Sequence, residues 1–236
     1  MLTSKRPAPL AAAAHALHDW GRGWKHRVAP RPAYVDGQPL RRPGAAPVYV
    51  LPGVWETWPS LLTWGEALWD SGFDVRLLPQ FDGQFGPLSQ LASKLRAAIA
   101  ADTEAAEARP PLVVAHSKGG LVAKQALAQV PGCFQGVVTV GTPFAGAPLA
   151  GLAPSGLNLR DLRPSSPQIL RLQRQVEPNR RIIAISAKWD QNVPDRGRLP
   201  GAIRWQIPVI GHNELLTHPA ATAAVVKSAQ HIRANW

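Results

Sequence analysis

The sequence predicts an α/β fold: a mostly parallel, doubly wound sheet flanked by helices, with a small cap insertion. Three observations lead there. Short apolar runs alternate with stretches of helical spacing along most of the chain, the pattern of repeated βαβ units. Most runs are closed by Gly, Pro or an Asx residue, so the elements are short and their connections tight. The chain has 236 residues, 45% of them hydrophobic, which is enough for one large domain with both faces of such a sheet covered.

Residues 1–46 are rich in Pro, Arg and Ala and read as an extension draped on the domain, with one short helix from Leu10 to Trp20 ended by Gly21. The domain proper is expected over residues 47–236. Val48 to Leu51 is the first strand, stopped by Pro52-Gly53, and Val54-Trp55-Glu56-Thr57-Trp58 leads through Pro59 into a helix from Leu61 to Trp69. Gly72 closes that helix, Phe73 to Leu78 is the second strand, and a glycine-rich loop covers 80–87. Apolar residues at 88, 91, 92, 95 and 99 give the next helix one buried face. Leu112 to Ala115 is a strand bounded by Pro110 and Pro111, and a helix pattern runs from Leu121 to Val130, stopped by Pro131-Gly132. Gly136 to Val140, Arg181 to Ala187 and Ile203 to Ile210 complete the strands. Pro208 has no N–H to give a second neighbour, which puts the last strand at an edge. A helix from Ala220 to Arg233 closes the chain. The cap insertion is expected at about 144–180, where Ser166-Pro167 opens a helix carrying Leu170, Leu172 and Val176.

Composition excludes several classes. Cys133 is the only cysteine, so neither an internal disulfide nor a zinc site built on cysteines can form. The run Leu10 to Ala14 is interrupted by His15, His18 and Asp19 before a secretory core is complete, so the N-terminus reads as a leader-like tail that is retained. No stretch approaches the ~20 apolar residues of a membrane span. The expected location is the cytoplasm, with peripheral membrane association open. The net charge is +11. It is concentrated in residues 1–47, with eight Lys/Arg against Asp19 and Asp36, and in 144–189, with seven against Asp161 and Glu177. Solvated basic faces explain this first and an anionic membrane surface second. No specific nucleic-acid partner is expected, because aromatic residues do not interleave with the basic ones. The oligomeric state is left open.

The chemistry centres on Ala115-His116-Ser117-Lys118-Gly119, between a strand and a helix. A serine at such a corner has its hydroxyl pushed out beyond the sheet, and the following N–H is left free, provided small residues flank it. Serine needs an imidazole to take its proton and a carboxylate to orient that imidazole. His212 follows a strand through Gly211, whereas His218 precedes a proline in a turn and His231 lies within the closing helix. Asp190 directly follows an apolar strand, and Asp195, beyond Pro194, is the alternative acid. Ser117, Asp190 and His212 thus form the candidate catalytic set. The backbone N–H groups of Lys118 and Val54 are the candidate oxyanion donors, with Trp55 next in line for the second. The Lys118 side chain is expected to point away, and the His116 ring to pack against neighbouring loops. Trp55, Trp58 and Phe144 are candidate walls of an apolar acyl pocket.

Five pieces, Leu-Pro-Gly-Val-Trp-Glu-Thr-Trp, Ala-His-Ser-Lys-Gly-Gly, Val-Gly-Thr-Pro-Phe-Ala-Gly, Asp-Gln-Asn-Val-Pro and Gly-His-Asn-Glu-Leu-Leu, together resemble, in order and spacing, the lipase/esterase branch of the α/β-hydrolase fold over about 48–226. The resemblance implies a Ser-His-Asp carboxylic ester hydrolase without metal or organic cofactor, acting on small-molecule or lipid esters. Two departures stand out: alanine at 115 in place of glycine, and Pro52-Gly53 where many lipases have His-Gly. Acyl transfer or thioester cleavage with the same triad is the alternative, as is a non-catalytic hydrolase-fold protein that binds anionic surfaces. The cap carries Arg160, Arg163, Arg171 and Arg174, either as a solvated helix face or as the cationic side of a lid.

Overall fold

A computed structural model describes residues 9–28, 40–84, 86–102, 110–148, 150 and 159–236. Six strands form one sheet: β1 (Pro47–Leu51), β2 (Asp74–Leu77), β3 (Leu112–His116), β4 (Gly136–Val140), β5 (Ile182–Trp189) and β6 (Ile203–Ile210). Their order is β2-β1-β3-β4-β5-β6, and every neighbouring pair is parallel. The helices are α1 (Pro9–Val28), α2 (Leu62–Asp70), α3 (Leu88–Ala100), α4 (Lys118–Gln129), α5 (Pro167–Arg174) and α6 (Pro219–Asn235).

Strand alternation explains the layering. Leu51, Val113, Ala115 and Val137 pack against Leu91 and Leu95 of α3 and Leu121 and Leu127 of α4. The residues between them in sequence, Val48, Val50, Val114 and Val138, pack on the opposite face against Trp64 of α2 and Val225 and Ile232 of α6. Both faces are covered, which is why β1 to β4 are buried at every position and β1 and β3 read as almost continuous apolar runs, whereas β2 buries Asp74 and Arg76 as an ion pair at 2.7 Å. β6 pairs only with β5, so it is an edge strand and its Pro208 withholds no needed donor.

The chain leaves β1 for β2 on one side and then crosses back to β3 on the other. This reversal makes the crevice beyond the ends of β1 and β3 the topological switch point, where open α/β sheets place their ligands. Leu51 and Ala115 are paired there, so the segments that follow, with Gly53 and Ser117, emerge side by side.

Three elements differ from the sequence expectation. Helix α5 ends at Arg174, so Val176 lies beyond it, before a separate short helical turn over Glu177–Arg181. The helix after the corner starts at Lys118, three residues before Leu121. The first helix does not stop at Gly21 but continues to Val28. A glycine in a helix interior costs about 1 kcal/mol relative to alanine, and here Gly23 fits a close approach: a Cβ on it would sit 2.7 Å from the Asn213 side chain.

Candidate active site

The ends of β3, β5 and β6 each deliver one side chain. β3 delivers Ser117 with φ 50° and ψ −122°, a left-handed backbone that a non-glycine residue holds only when its surroundings impose it. The Ser117 N–H is fixed to Val140 O at 2.9 Å. Gly119 and Gly120 permit the tight corner, since a Cβ on Gly119 would lie 2.6 Å from Pro52 O and one on Gly120 would collide with Thr142. A serine at a helix N-cap ordinarily turns its hydroxyl onto the helix, but that of Ser117 caps nothing. It lies 2.9 Å from His212 Nε2.

His212 comes from the end of β6, held beside β5 by the bond from Gly211 N to Trp189 O at 2.9 Å. Its Nδ1–H donates to Asp190 Oδ2 at 2.7 Å, which leaves Nε2 as the acceptor facing the serine hydroxyl. Asp190 Oδ1 accepts from Asn192 N and Val193 N at 2.8 and 3.1 Å, so the carboxylate is fixed on both oxygens. Asp195 is turned to its own loop, accepting from Gly197 N at 3.1 Å. Burial pushes the His212 imidazolium down, but Asp190, by charge and hydrogen bond, with Glu56 and Asp19 behind it, more than reverses this and raises its pKa above the usual value. Chemically, the set can move a proton from the hydroxyl to Nε2 while Asp190 holds the resulting imidazolium.

No family model matches the sequence, and no curated protein does. Solved structures do. A Bacillus licheniformis lipase in its mature form superposes with a TM-score of 0.66 at 18% identity, over 85% of this chain and 99% of that one. The monoacylglycerol lipase of Paleococcus ferrophilus gives 0.60 at 13% identity, over 80% of this chain and 94% of that one. An alpha/beta hydrolase enzyme from the metagenome of lagoon sediments at Mar Chica, Morocco, gives 0.55 at 16% identity, over 82% and 94%. This chain has the α/β-hydrolase fold.

Within this fold, the segment after β1 carries the other expected donors. Gly53 N donates to Glu56 Oε2 at 2.6 Å and Trp55 N to Gly83 O at 3.0 Å, so both N–H groups are occupied. Val54 N, between them, has no acceptor among the described residues. Trp55 is held at φ 60° and is 36% exposed. Trp58 is buried with Leu61 and Trp64 on the α2 face of the sheet, whereas Phe144 and Val54 join the cluster on the opposite face, together with Leu162, Ile169 and Leu172 from the 144–180 region. The Lys118 ammonium is buried and donates to Gln84 O and Gly86 O at 2.8 and 2.9 Å, tying the 80–87 loop to the corner. Burial, opposed by Asp161, pushes its pKa down to about 8.

Two residues were not singled out by sequence reasoning. Glu56 Oε1 accepts from His116 Nδ1 at 2.6 Å, and the His116 ring lies 4.7 Å from that of His212. Glu56, His116 and His212 bring possible ligand atoms within 4.8 Å of one another; Glu56 and His116 Nδ1 are hydrogen-bonded to each other and both His212 nitrogens serve Asp190 and Ser117, while His116 Nε2 is buried with no hydrogen-bond partner among the described residues. The second residue is Asp19 on α1, against the loop that carries His212. The available signals were an acid three residues after the Gly53 turn, and an acid in register with Gly23 on one helix face.

Proposed function

We propose that this chain is a serine carboxylic ester hydrolase of the lipase/esterase type that cleaves esters with apolar acyl chains. The observation that carries this reading is the unbroken hydrogen-bonded line from Ser117 Oγ through His212 to Asp190 at the topological switch point. Ser117 Oγ attacks the ester carbonyl carbon while its proton passes to His212 Nε2. The negative charge on the carbonyl oxygen is received by the N–H groups of Lys118 and Val54, the latter being without a protein acceptor among the described residues. Collapse of the tetrahedral intermediate breaks the carbon–alkoxide bond, His212 returns its proton to the leaving alcohol, and the acyl group stays on Ser117. Water, deprotonated by His212, then attacks the acyl carbon; the bond from that carbon to Ser117 Oγ breaks, His212 returns the proton to Oγ, and the acid is released. The scheme uses protein groups only. Phe144, Val54 and the apolar side of the cap supply the acyl-chain environment, and Trp55 stands at its rim.

The test is labelling with a fluorophosphonate and peptide mapping, followed by a p-nitrophenyl ester panel of increasing acyl length. The label is expected on Ser117, and Ser117→Ala is expected to lower kcat by about 10³-fold or more. Ester hydrolysis undiminished in Ser117→Ala overturns the reading.

A further inference from the structure

α1 presents residues 12, 16, 19 and 23 to the body of the protein, and Asp19 at its centre is only 3% exposed. Its carboxylate is fully engaged. Oδ2 accepts from Asn213 N at 3.0 Å, Asn213 Nδ2 at 3.0 Å and Gln191 Nε2 at 2.6 Å, and Oδ1 accepts from Glu214 N at 2.9 Å. The Asp19 carbonyl accepts a further bond from Asn213 Nδ2 at 3.1 Å. Gln191 follows Asp190 directly, and Asn213 follows His212 directly. One carboxylate therefore joins the acid loop and the histidine loop, each at a single residue's remove from the reacting line. The site is built for it on both sides: Gly23 clears the Asn213 side chain, and a Cβ on Gly211 would collide with Asp19.

We infer that Asp19 is a positioning residue for the proposed reaction, and that α1 is an integral strap which fixes the Asp190 and His212 loops relative to each other. This rests on the triad proposed above. The physical argument is geometric. His212 reaches Ser117 and Asp190 through bonds of 2.9 and 2.7 Å from a four-residue turn, Asn213–Leu216, and from a strand at the edge of the sheet. A misplacement of about 1 Å at such a centre costs about 10²-fold in rate. Asp19 ties the backbone at 213 and 214 to the segment at 191, so the two loops move together or not at all. A neutral amide at 19 would retain the shape but place an NH₂ against groups that are all donors.

The experiment compares wild type, Asp19→Asn and Asp19→Ala, with Gln191→Ala as a variant that leaves the strap but removes its bond to the acid loop. Phosphonate labelling of Ser117, kcat and KM on a p-nitrophenyl ester across pH, and hydrogen exchange of residues 211–217 are read for each. Asp19→Asn is expected to lower kcat about 10- to 100-fold with KM within about twofold, and to accelerate exchange in 211–217. Its acid limb of kcat/KM is expected to move to lower pH, because Asp19 stands with Asp190 and Glu56 among the charges around His212, whose ring also faces His116. Gln191→Ala is expected to lower kcat several-fold, and it decides the matter if the Asp19 variants do not fold. An unlabelled, inactive wild type overturns the functional reading and this inference with it. A labelled, active wild type whose folded Asp19→Asn or Gln191→Ala counterpart keeps the same kcat, pH limb and exchange overturns the role of Asp19 alone.

Discussion

At the scale of single residues, His212 joins stability and activity through one proton. Its pKa is raised in the folded chain, so the charge on the ring stabilises the fold fully below the unfolded value of 6.5, and that contribution is lost as pH rises through the higher folded value. As a general base it must be neutral, so the proposed activity appears over the same window in which the stability disappears. The expected result is a kcat/KM limb displaced above 6.5, accompanied by a fall in the urea midpoint that His212→Ala no longer shows; a limb at or below 6.5 contradicts it. Glu56 behaves in the opposite sense. Burial alone would raise its pKa, but the charge and hydrogen bond of His116, the Gly53 N–H and His212 together hold it below the usual value. Its contribution is present above the unfolded value of 4.5 and is lost as pH falls through the folded one. Glu56→Gln is expected to cost about 1–3 kcal/mol at neutral pH, the penalty of buried donors left badly paired, measured by urea unfolding. Ser117, Asp190 and His212 were legible in the sequence because each announces itself locally, just past a strand. Glu56 with His116, 60 positions apart, and Asp19 with Asn213, 194 apart, become neighbours only through the sheet order and the docking of α1.

At the scale of elements, strands were legible to within a residue or two: a sheet covered on both faces turns β1 and β3 into almost uninterrupted apolar runs, while β2 and the edge strand β6 carry polar residues and were marked by the Gly and Pro that bound them. Helix ends were less so. Lys118, Gly119 and Gly120 lack apolar character, yet they are helical, because the corner at Ser117 fixes the first turn of α4 before hydrophobic spacing begins. α4 also buries a second lysine. Lys124 is 1% exposed, its ammonium lies 5.9 Å from the Phe144 ring, and burial pushes its pKa down to about 8. It has no salt-bridge or hydrogen-bond partner among the described residues. A charge held there at neutral pH opposes folding, so Lys124→Met, similar in length and apolar, is expected to stabilise the protein by about 1–3 kcal/mol at pH 7. The gain should shrink as pH rises past about 8, where the wild-type amine becomes neutral in the fold. Thermal unfolding at pH 7 and at a pH above that value checks both parts, and a variant that loses stability at pH 7 refutes the account. The start of α5 was legible from Ser166-Pro167: Ser166 Oγ accepts from Ile169 N at 3.2 Å, and Ile169 and Leu172 turn inward.

At the scale of the whole molecule, the strand order and the switch point follow from connection rules that act on short, right-handed βαβ units, which is why the location of the site was readable before its geometry was. Charge is another whole-molecule property, and it bears on association more than on fold. The net +11 is unevenly spread, and the segment from 160 to 180 exposes Arg160, Arg171, Arg174 and Arg180 as well as Leu170 and Val176, which are 40% and 48% exposed. Among the described residues no helix is long and apolar enough to cross a membrane. A cationic segment with interspersed apolar side chains suits adsorption to an anionic lipid surface, with electrostatics supplying the reach. Exposed charges are screened over about 10 Å at 0.1 M salt and about 3 Å at 1 M. The protein is therefore expected to co-sediment with vesicles containing phosphatidylglycerol at low salt, to be released when salt approaches about 1 M, and to ignore vesicles of phosphatidylcholine alone. Arg171→Glu with Arg174→Glu should weaken the low-salt binding while leaving the thermal midpoint unchanged. Binding to neutral vesicles that is indifferent to salt would instead make Leu170 and Val176 the contact, and binding unchanged in the double variant would move the charged face to the Lys/Arg-rich residues that precede the sheet.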